Sequence, residues 1–220
     1  MSLRALFMLA FLALGSCAPM RFVKPLEKKQ QAANISLGGE LIKYNSLTIP
    51  VPFLTASYGY GIDSSLTGFA SLNITSALFG NFHLGLGATK QLLKQKGYCP
   101  ALSVAPAFDF IYRNKNAAKF YPQLAVNAFW EYGKKNNLVY LGIDNWFELA
   151  SKRAYGRKQE NHWIFMPAVG HSFCGKKGSF NTEIRIIAPT LSNENLVVEY
   201  QTPLKTHGAF GVYIGYTRKF

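Results

Sequence analysis

Read backwards from its end, the chain alternates. Phe210, Val212, Ile214 and Tyr216 take one side of the last segment, and Gly211, Tyr213, Gly215 and Thr217 take the other. A period of two is the signature of a strand whose two faces meet different surroundings. Similar segments lie at about 180–188, 162–173, 138–149, 120–132, 101–113, 82–90, 66–77, 53–62 and 34–43. With the last segment they predict about ten strands, within limits of roughly eight to twelve. Each is near the roughly 9–11 residues that a tilted strand needs to cross a bilayer.

The two faces differ in kind. One reads Leu66, Leu72, Ile74, Phe82, Leu84 and Leu86, and continues through Val104, Phe108, Phe110, Leu124, Val126, Trp130, Leu141, Ile143 and Phe147. The other carries Thr67, Ser71, Asn73, His83, Gln123 and Asn127, together with a predicted lumen charge cluster of Asp109, Glu131, Asp144, Glu148, Glu183 and Arg185. A soluble sandwich would mix acids and bases on its wet face, whereas a narrow lumen collects acids with a few counter-charges such as Arg185 and Arg113. No stretch offers the roughly 18 apolar residues of a membrane helix. A membrane-spanning chain of this kind must therefore close into an antiparallel transmembrane β-barrel, because lipid offers no partner to an open strand edge. Pro106 and Pro167 fall within predicted strands and are expected at bulges or early strand ends. The soluble rival is a lipocalin-like barrel, but no Gly-x-Trp stands near the first strand.

The first residues set the compartment. Arg4 precedes an apolar run from Ala5 to Leu14, closed by Gly15 and Ser16, which reads as a secretory signal over 1–16. Leu14-Gly15-Ser16-Cys17 resembles the lipobox of bacterial lipoproteins, which implies lipidation of Cys17. Ala18 replaces the Asp that resembles an inner-membrane retention signal. Residues 17–32, with Pro19 and Pro25, then read as a lipidated tether, and 33–220 as the barrel. A last strand that includes Tyr216 and ends on Phe220 resembles the β-signal of outer-membrane barrels, although Arg218 departs from the usual apolar residue. Together these features resemble the small outer-membrane β-barrels of Gram-negative bacteria. The resemblance implies insertion by the barrel-assembly machinery and a surrounding of outer-membrane lipid and lipopolysaccharide. An even strand count implies that both termini are periplasmic. Turns at 63–65, 94–97, 134–137 and 175–178 would then be periplasmic, with longer loops at 43–51, 114–119, 151–161 and 189–207 outside. The tight Phe79-Gly80-Asn81 link is the exception.

A net charge of +13 calls for an anionic neighbour. Paired cations at Lys94 and Lys96, Lys134 and Lys135, Arg157 and Lys158, and Lys176 and Lys177 punctuate the strands, as turns beside phosphate headgroups would. No nucleic-acid motif accompanies them, so nucleic acid is not an expected partner.

Candidate chemistry is sparse. His171 and Ser172 are neighbours on a strand and point to opposite faces, so they cannot form a nucleophilic pair. The His-x-Ser spacing of barrel-type lipid A deacylases is missing. So is the Asn, His and Ser context of the outer-membrane phospholipases. No His/Cys group has zinc-site spacing, and neither metal nor cofactor is expected. Cys99 and Cys174 lie near turns on the oxidising side, where a disulfide could persist, but those turns are four strands apart and a bridge needs Cα atoms within about 7 Å, so the sequence leaves their pairing open. The triplets Asn34-Ile35-Ser36 and Asn73-Ile74-Thr75 match a glycosylation site without meaning in a bacterial strand. Tyr58, Tyr60, Trp130, Tyr132, Trp146, Trp163, Tyr213 and Tyr216 are expected in aromatic girdles at the headgroups. The sequence thus predicts a non-catalytic barrel, a structural or accessory subunit with envelope protein partners. An enzyme modifying lipid A or phospholipid and a narrow solute pore are the alternatives.

Overall fold

The computed structural model describes residues 22–45, 47–113, 118–152, 158–194 and 198–220. The proposed signal and Cys17 lie outside the described residues. The elements are β1 (Gln31–Tyr44), β2 (Leu47–Pro50), β3 (Phe53–Asp63), β4 (Leu66–Asn73), α1 (Ile74–Leu78), β5 (Asn81–Leu93), β6 (Ala101–Arg113), β7 (Lys119–Tyr132), β8 (Asn137–Phe147), β9 (Trp163–Cys174), β10 (Gly178–Ser192) and β11 (His207–Lys219). Ten of these strands make one closed antiparallel barrel. The short β2 is a flap that folds back onto the end of β1 from Leu41 to Tyr44.

Closure runs through the first and last strands. Each barrel strand pairs with its chain neighbour, and β11 returns to β1 from Ala32↔Lys219 to Glu40↔Gly211. Beyond that ladder the Phe220 N–H donates to the Gln31 carbonyl at 2.9 Å. A closed barrel leaves no strand edge unpaired, as a hydrocarbon surrounding demands.

Burial is inverted relative to a soluble fold. Leu141, Ile143, Val169, Ile184 and Ile214 lie exposed on the outside, while Thr55, Ser103, Asn127, Asp144 and Glu183 are buried inside. Outward apolar side chains meet acyl chains in such an arrangement, and the polar face is turned to the lumen. The face of the sequence that begins at Leu66 is the outer one. Its charged counterpart is the lumen.

The alternation misleads at one point. The segment expected as a strand over 66–77 ends at Asn73, whose side chain accepts from the Ser76 N–H at 2.8 Å and caps α1. Thr75 ties this turn to the barrel, since its hydroxyl donates to the Pro52 carbonyl and accepts from the Leu54 N–H. The connection from β4 to β5 is therefore residues 74–80 rather than a tight link, and it joins the other long loops at one end. At that loop end the chain also leaves β1, β6, β8 and β10 and re-enters β3, β7, β9 and β11. The opposite turn end carries 64–65, 94–100, 133–136 and 175–177.

The prolines sit where ladders lapse. Pro167 lies one residue beyond the last pair of β9 with β10, Arg185↔Ala168. Pro106 lies where the β5–β6 ladder is interrupted between Gly87↔Ala107 and Lys90↔Val104. In both cases the other neighbour still pairs, so the missing N–H costs no bond on that side.

Candidate functional site

The lumen is the site the sequence points to, and three tiers of side chains fill it. The first, at the turn end, is supplied by the chain ahead of β1. Residues 22–30 fold into the barrel mouth, where Val23 packs with Ala101, Phe129, Leu138 and Tyr140. Phe22 and Leu26 pack with Ala32 and against Phe69. Polar bonds pin this plug to the barrel wall. Ser103 Oγ donates to the Val23 carbonyl at 2.6 Å, and the Leu26 N–H donates to Thr67 Oγ1 at 2.7 Å. The Lys29 N–H reaches the Gly61 carbonyl at 2.8 Å, and Lys24 Nζ meets Glu131 Oε2 at 2.5 Å. From Phe22 onward, then, the proposed tether is also a stopper. Beside it a cavity of about 290 Å³ is lined by Asn34, Tyr140, Asn181 and Cys174 among others.

Two bare glycines make the plug's seat. A Cβ on Gly61 would stand 1.9 Å from the Glu27 carbonyl, and one on Gly59 would stand 2.5 Å from the Phe22 ring. Gly61→Val is therefore expected to unseat the plug. An overpacking cost of about 1–3 kcal/mol corresponds to a rise of about 5- to 150-fold in the open population. Limited trypsin digestion should cut after Lys28 or Lys29 about tenfold faster in the variant, with the barrel still heat-modifiable on a gel. Equal protection of both proteins would contradict the seat.

The middle tier is charged. The Arg185 guanidinium meets Asp144 Oδ2 at 2.9 Å, and its Nε donates to Glu183 Oε1 at 2.8 Å while Nη2 bonds the same oxygen. Tyr140 donates to Glu183 Oε2 at 2.6 Å, and Arg185 lies over the Tyr213 ring at 5.5 Å. Glu40 is buried in the lumen as well, at 2 % exposure. Low polarity strengthens such a network and makes any orphaned member costly. A second group stands across the barrel, where His83 Nε2 lies 3.1 Å from Asp109 Oδ2, to which Gln123 donates at 2.5 Å. A His–carboxylate dyad can in principle accept a proton from a nucleophile. Here both side chains are less than a tenth exposed.

The third tier is an apolar cork at the loop end. Trp146, Met166, Ile187, Ala188 and Ala209 form it, with Tyr121, Ile164, Leu191 and Tyr200 against it. Backbone bonds from Gln201 to Leu41 and from Phe210 to Gln201 fasten the Tyr200 segment to β1 and β11. Burial, and then the nearby Glu40 carboxylate, push the Tyr200 phenol up. It is a neutral stopper at any physiological pH.

The charged residues singled out from the sequence are thus inward but not one cluster. Asp144, Glu183 and Arg185 are together. Asp109 belongs with His83 and Gln123, Glu131 with the plug's Lys24, and Glu148 with Lys119 at 4.0 Å near the loop end. Trp146 and Tyr213 are not girdle residues: they are 5 % and 1 % exposed inside the lumen. Tyr216 faces outward and Phe220 is exposed beyond β11. On the outer surface His171 Nε2 lies 2.5 Å from the Tyr132 hydroxyl, and Ser172 points inward as the alternation requires. Cys99 and Cys174 are free thiols.

Charge is unequal at the two ends. The turn end carries Lys24, Lys28, Lys29, Lys90, Lys94, Lys96, Lys134, Lys135, Lys176, Lys177, Arg218 and Lys219 against Glu27, Asp63 and Glu131. The described loop end sets Lys43, Arg113, Lys119, Lys152, Lys158 and Lys205 against Glu148, Glu160, Glu194 and Glu199. Inverted burial, full closure and a charged lumen decide the class. The chain is a closed barrel of the outer-membrane kind.

No family model matches the chain, and no curated protein matches it. Among solved structures it is similar to the COG4313 outer membrane channel from Pseudomonas putida F1, at 11 % identity over 93 % of this chain and 100 % of that one, with a TM-score of 0.49. It is also similar to the translocator domain of the autotransporter NalP from Neisseria meningitidis, at 11 % identity over 99 % and 94 % of the two chains and a TM-score of 0.47. The attachment invasion locus protein Ail of Yersinia pestis matches at 6 % identity over 88 % and 99 %, with a TM-score of 0.30. Likeness at this level carries no function across, and the barrel assignment stands on its own strand ladder.

Proposed function

We propose that this protein is a non-catalytic barrel lipoprotein of the bacterial outer membrane, anchored through Cys17, that serves as a structural or accessory subunit of an envelope complex. The observation that carries this reading is the filled lumen. A plug at the turn end, a buried ion network at mid-depth and an apolar cork at the loop end leave side chains where a channel would hold water. Phe129, Met166 and Tyr213 are each at most 1 % exposed. Barrels of about eight strands are already filled by side chains, and ten strands add little room. A barrel without a passage, and with its His–Asp pair buried, acts through its surfaces. Its loop-end segments are the natural docking surface for an envelope partner.

Tyr216 and Phe220 are proposed as the signal read by the barrel-assembly machinery. Both termini are proposed to be periplasmic, because the short turns share their end.

Mild-detergent purification of the tagged full-length protein from native outer membranes, with mass spectrometry of what accompanies it, tests the subunit reading. A stoichiometric envelope partner is expected. Repeated purification of the barrel with lipid and no protein would overturn it.

A further inference from the structure

The outer surface carries a depression where lipid-facing side chains shrink. Ala33, Ala56 and Ala70 form its floor on β1, β3 and β4, and Tyr58, Tyr216, Leu72 and Leu84 stand around them. Its volume is about 590 Å³. The pairing register shows its course. Arg218, Ala33, Tyr58 and Ala70 make one row across neighbouring strands, and Tyr216, Ile35, Ala56, Leu72 and Leu84 make the next. The rows start at the last turn of β11 and end in the loop-end half of β5. Four inter-strand steps of about 4.8 Å give roughly 19 Å. On a tilted course that is the scale of one leaflet's hydrocarbon, about 15 Å.

One end of the depression is apolar and the other is cationic. Arg218 is exposed, points outward between Ala33 and Gly178, and lines the depression at its turn-end limit. Arg218 makes no ion pair among the described residues. It belongs to the basic rim, whose potential favours anionic headgroups by about 1 kcal/mol per cation near the surface. An apolar trough that ends on a guanidinium, with two tyrosines beside it, matches an acyl chain joined to a phosphate.

We propose that this depression is a seat for one anionic glycerophospholipid of the leaflet at the turn end. Its phosphate is held by Arg218 and one acyl chain lies along the floor of Ala33, Ala56 and Ala70. The site rests on the membrane-spanning reading of the barrel and is independent of the subunit role. Alanine at these positions is what keeps the trough open, since leucine there would fill it. The cation selects the headgroup.

The test uses full-length protein inserted into vesicles of equal phosphatidylglycerol and phosphatidylcholine, extracted in mild detergent and weighed with its retained lipid by native mass spectrometry. Wild type is expected to keep one phosphatidylglycerol in preference to phosphatidylcholine. Arg218→Gln should lose that preference about fivefold, the factor that about 1 kcal/mol sets. Ala56→Leu should retain less of both lipids, and Lys177→Gln, on the rim but off the trough, should behave as wild type. Heat-modifiable migration of each variant shows that it has folded. Retention in Arg218→Gln and Ala56→Leu equal to wild type overturns the seat. So does displacement of the lipid by millimolar inorganic phosphate, which would mark a bare anion site. A protein that never enters the vesicles overturns both the seat and the membrane reading, whereas an inserted protein without selectivity overturns the seat only.

Discussion

Arg185→Ala is expected to cost about 3–5 kcal/mol, because it leaves carboxylates buried without their counter-charge. Against a typical total of roughly 5–15 kcal/mol that is enough to empty much of the folded state. The geometry gives the reason. Arg185 is 2 % exposed and serves both Asp144 and Glu183, and Tyr140 completes the shell of Glu183. Water cannot replace the guanidinium in a lumen stopped at both ends. The variant should show a sharply lower urea midpoint and little of the fast-migrating band before boiling. Removing the charge from all three, as Arg185→Met with Asp144→Asn and Glu183→Gln, should recover most of the loss, since the penalty lies in the orphaned ions. A single variant as stable as wild type would contradict the network.

Gly38→Ala is the second large effect, and it acts on closure. Gly38 lies on β1 opposite Tyr213 of β11, with φ at +149°, which L side chains rarely adopt. An added Cβ would stand 2.2 Å from the Val212 carbonyl and 2.6 Å from the Tyr213 Cα. These atoms are backbone of the closing strand, so nothing can swing aside. Strain and overpacking together are expected to cost about 2–5 kcal/mol. Because the damage falls on the pairing between the first and last strands, folding yield should drop along with the urea midpoint. Gly133→Ala is the control. Gly133 also has positive φ, at +70°, but open space around it, so it should lose only about 1–2 kcal/mol. Equal loss at the two positions would mean that the seam is not special.

The faces of this barrel were readable because each strand meets hydrocarbon on one side and a charged lumen on the other. The contrast at period two is then sharp from Leu66 to Phe147. What alternation cannot give is height and neighbourhood. It put Asp109 and Arg185 on the same face, but strand order sets Asp109 beside β5 and β7 and keeps it away from β10. Tyr213 was open to a correct reading, since the alternation already placed it with Gly211 and Gly215. Distance from a strand end suggested a girdle instead. Trp146 went astray in the same way. Helix α1 was hidden because Ile74 continues the apolar series, and the cue against it was the capping Asn73.

The plug was the least legible element. Residues 22–30 have no period, and Phe22, Val23 and Leu26 beside Pro25 and several lysines look like any linker. Their partners lie on β1, β3, β4, β6, β7 and β8, most of them far along the chain. The trace they leave in the sequence is negative: glycine at the inward positions 59 and 61, where a lumen would otherwise hold side chains. The trough under Arg218 is similar, written in three alanines among larger outward residues.

The central claim is that this barrel spans a membrane without conducting, and single-channel recording of the full-length protein in planar bilayers tests it most directly. Insertion, verified by heat-modifiable migration, should leave the current at baseline for wild type. Gly61→Val should stay at baseline too, because the Arg185 network and the Trp146 cork remain when the plug is loosened. Stable conductance steps from the wild-type protein would contradict the account and make this a pore.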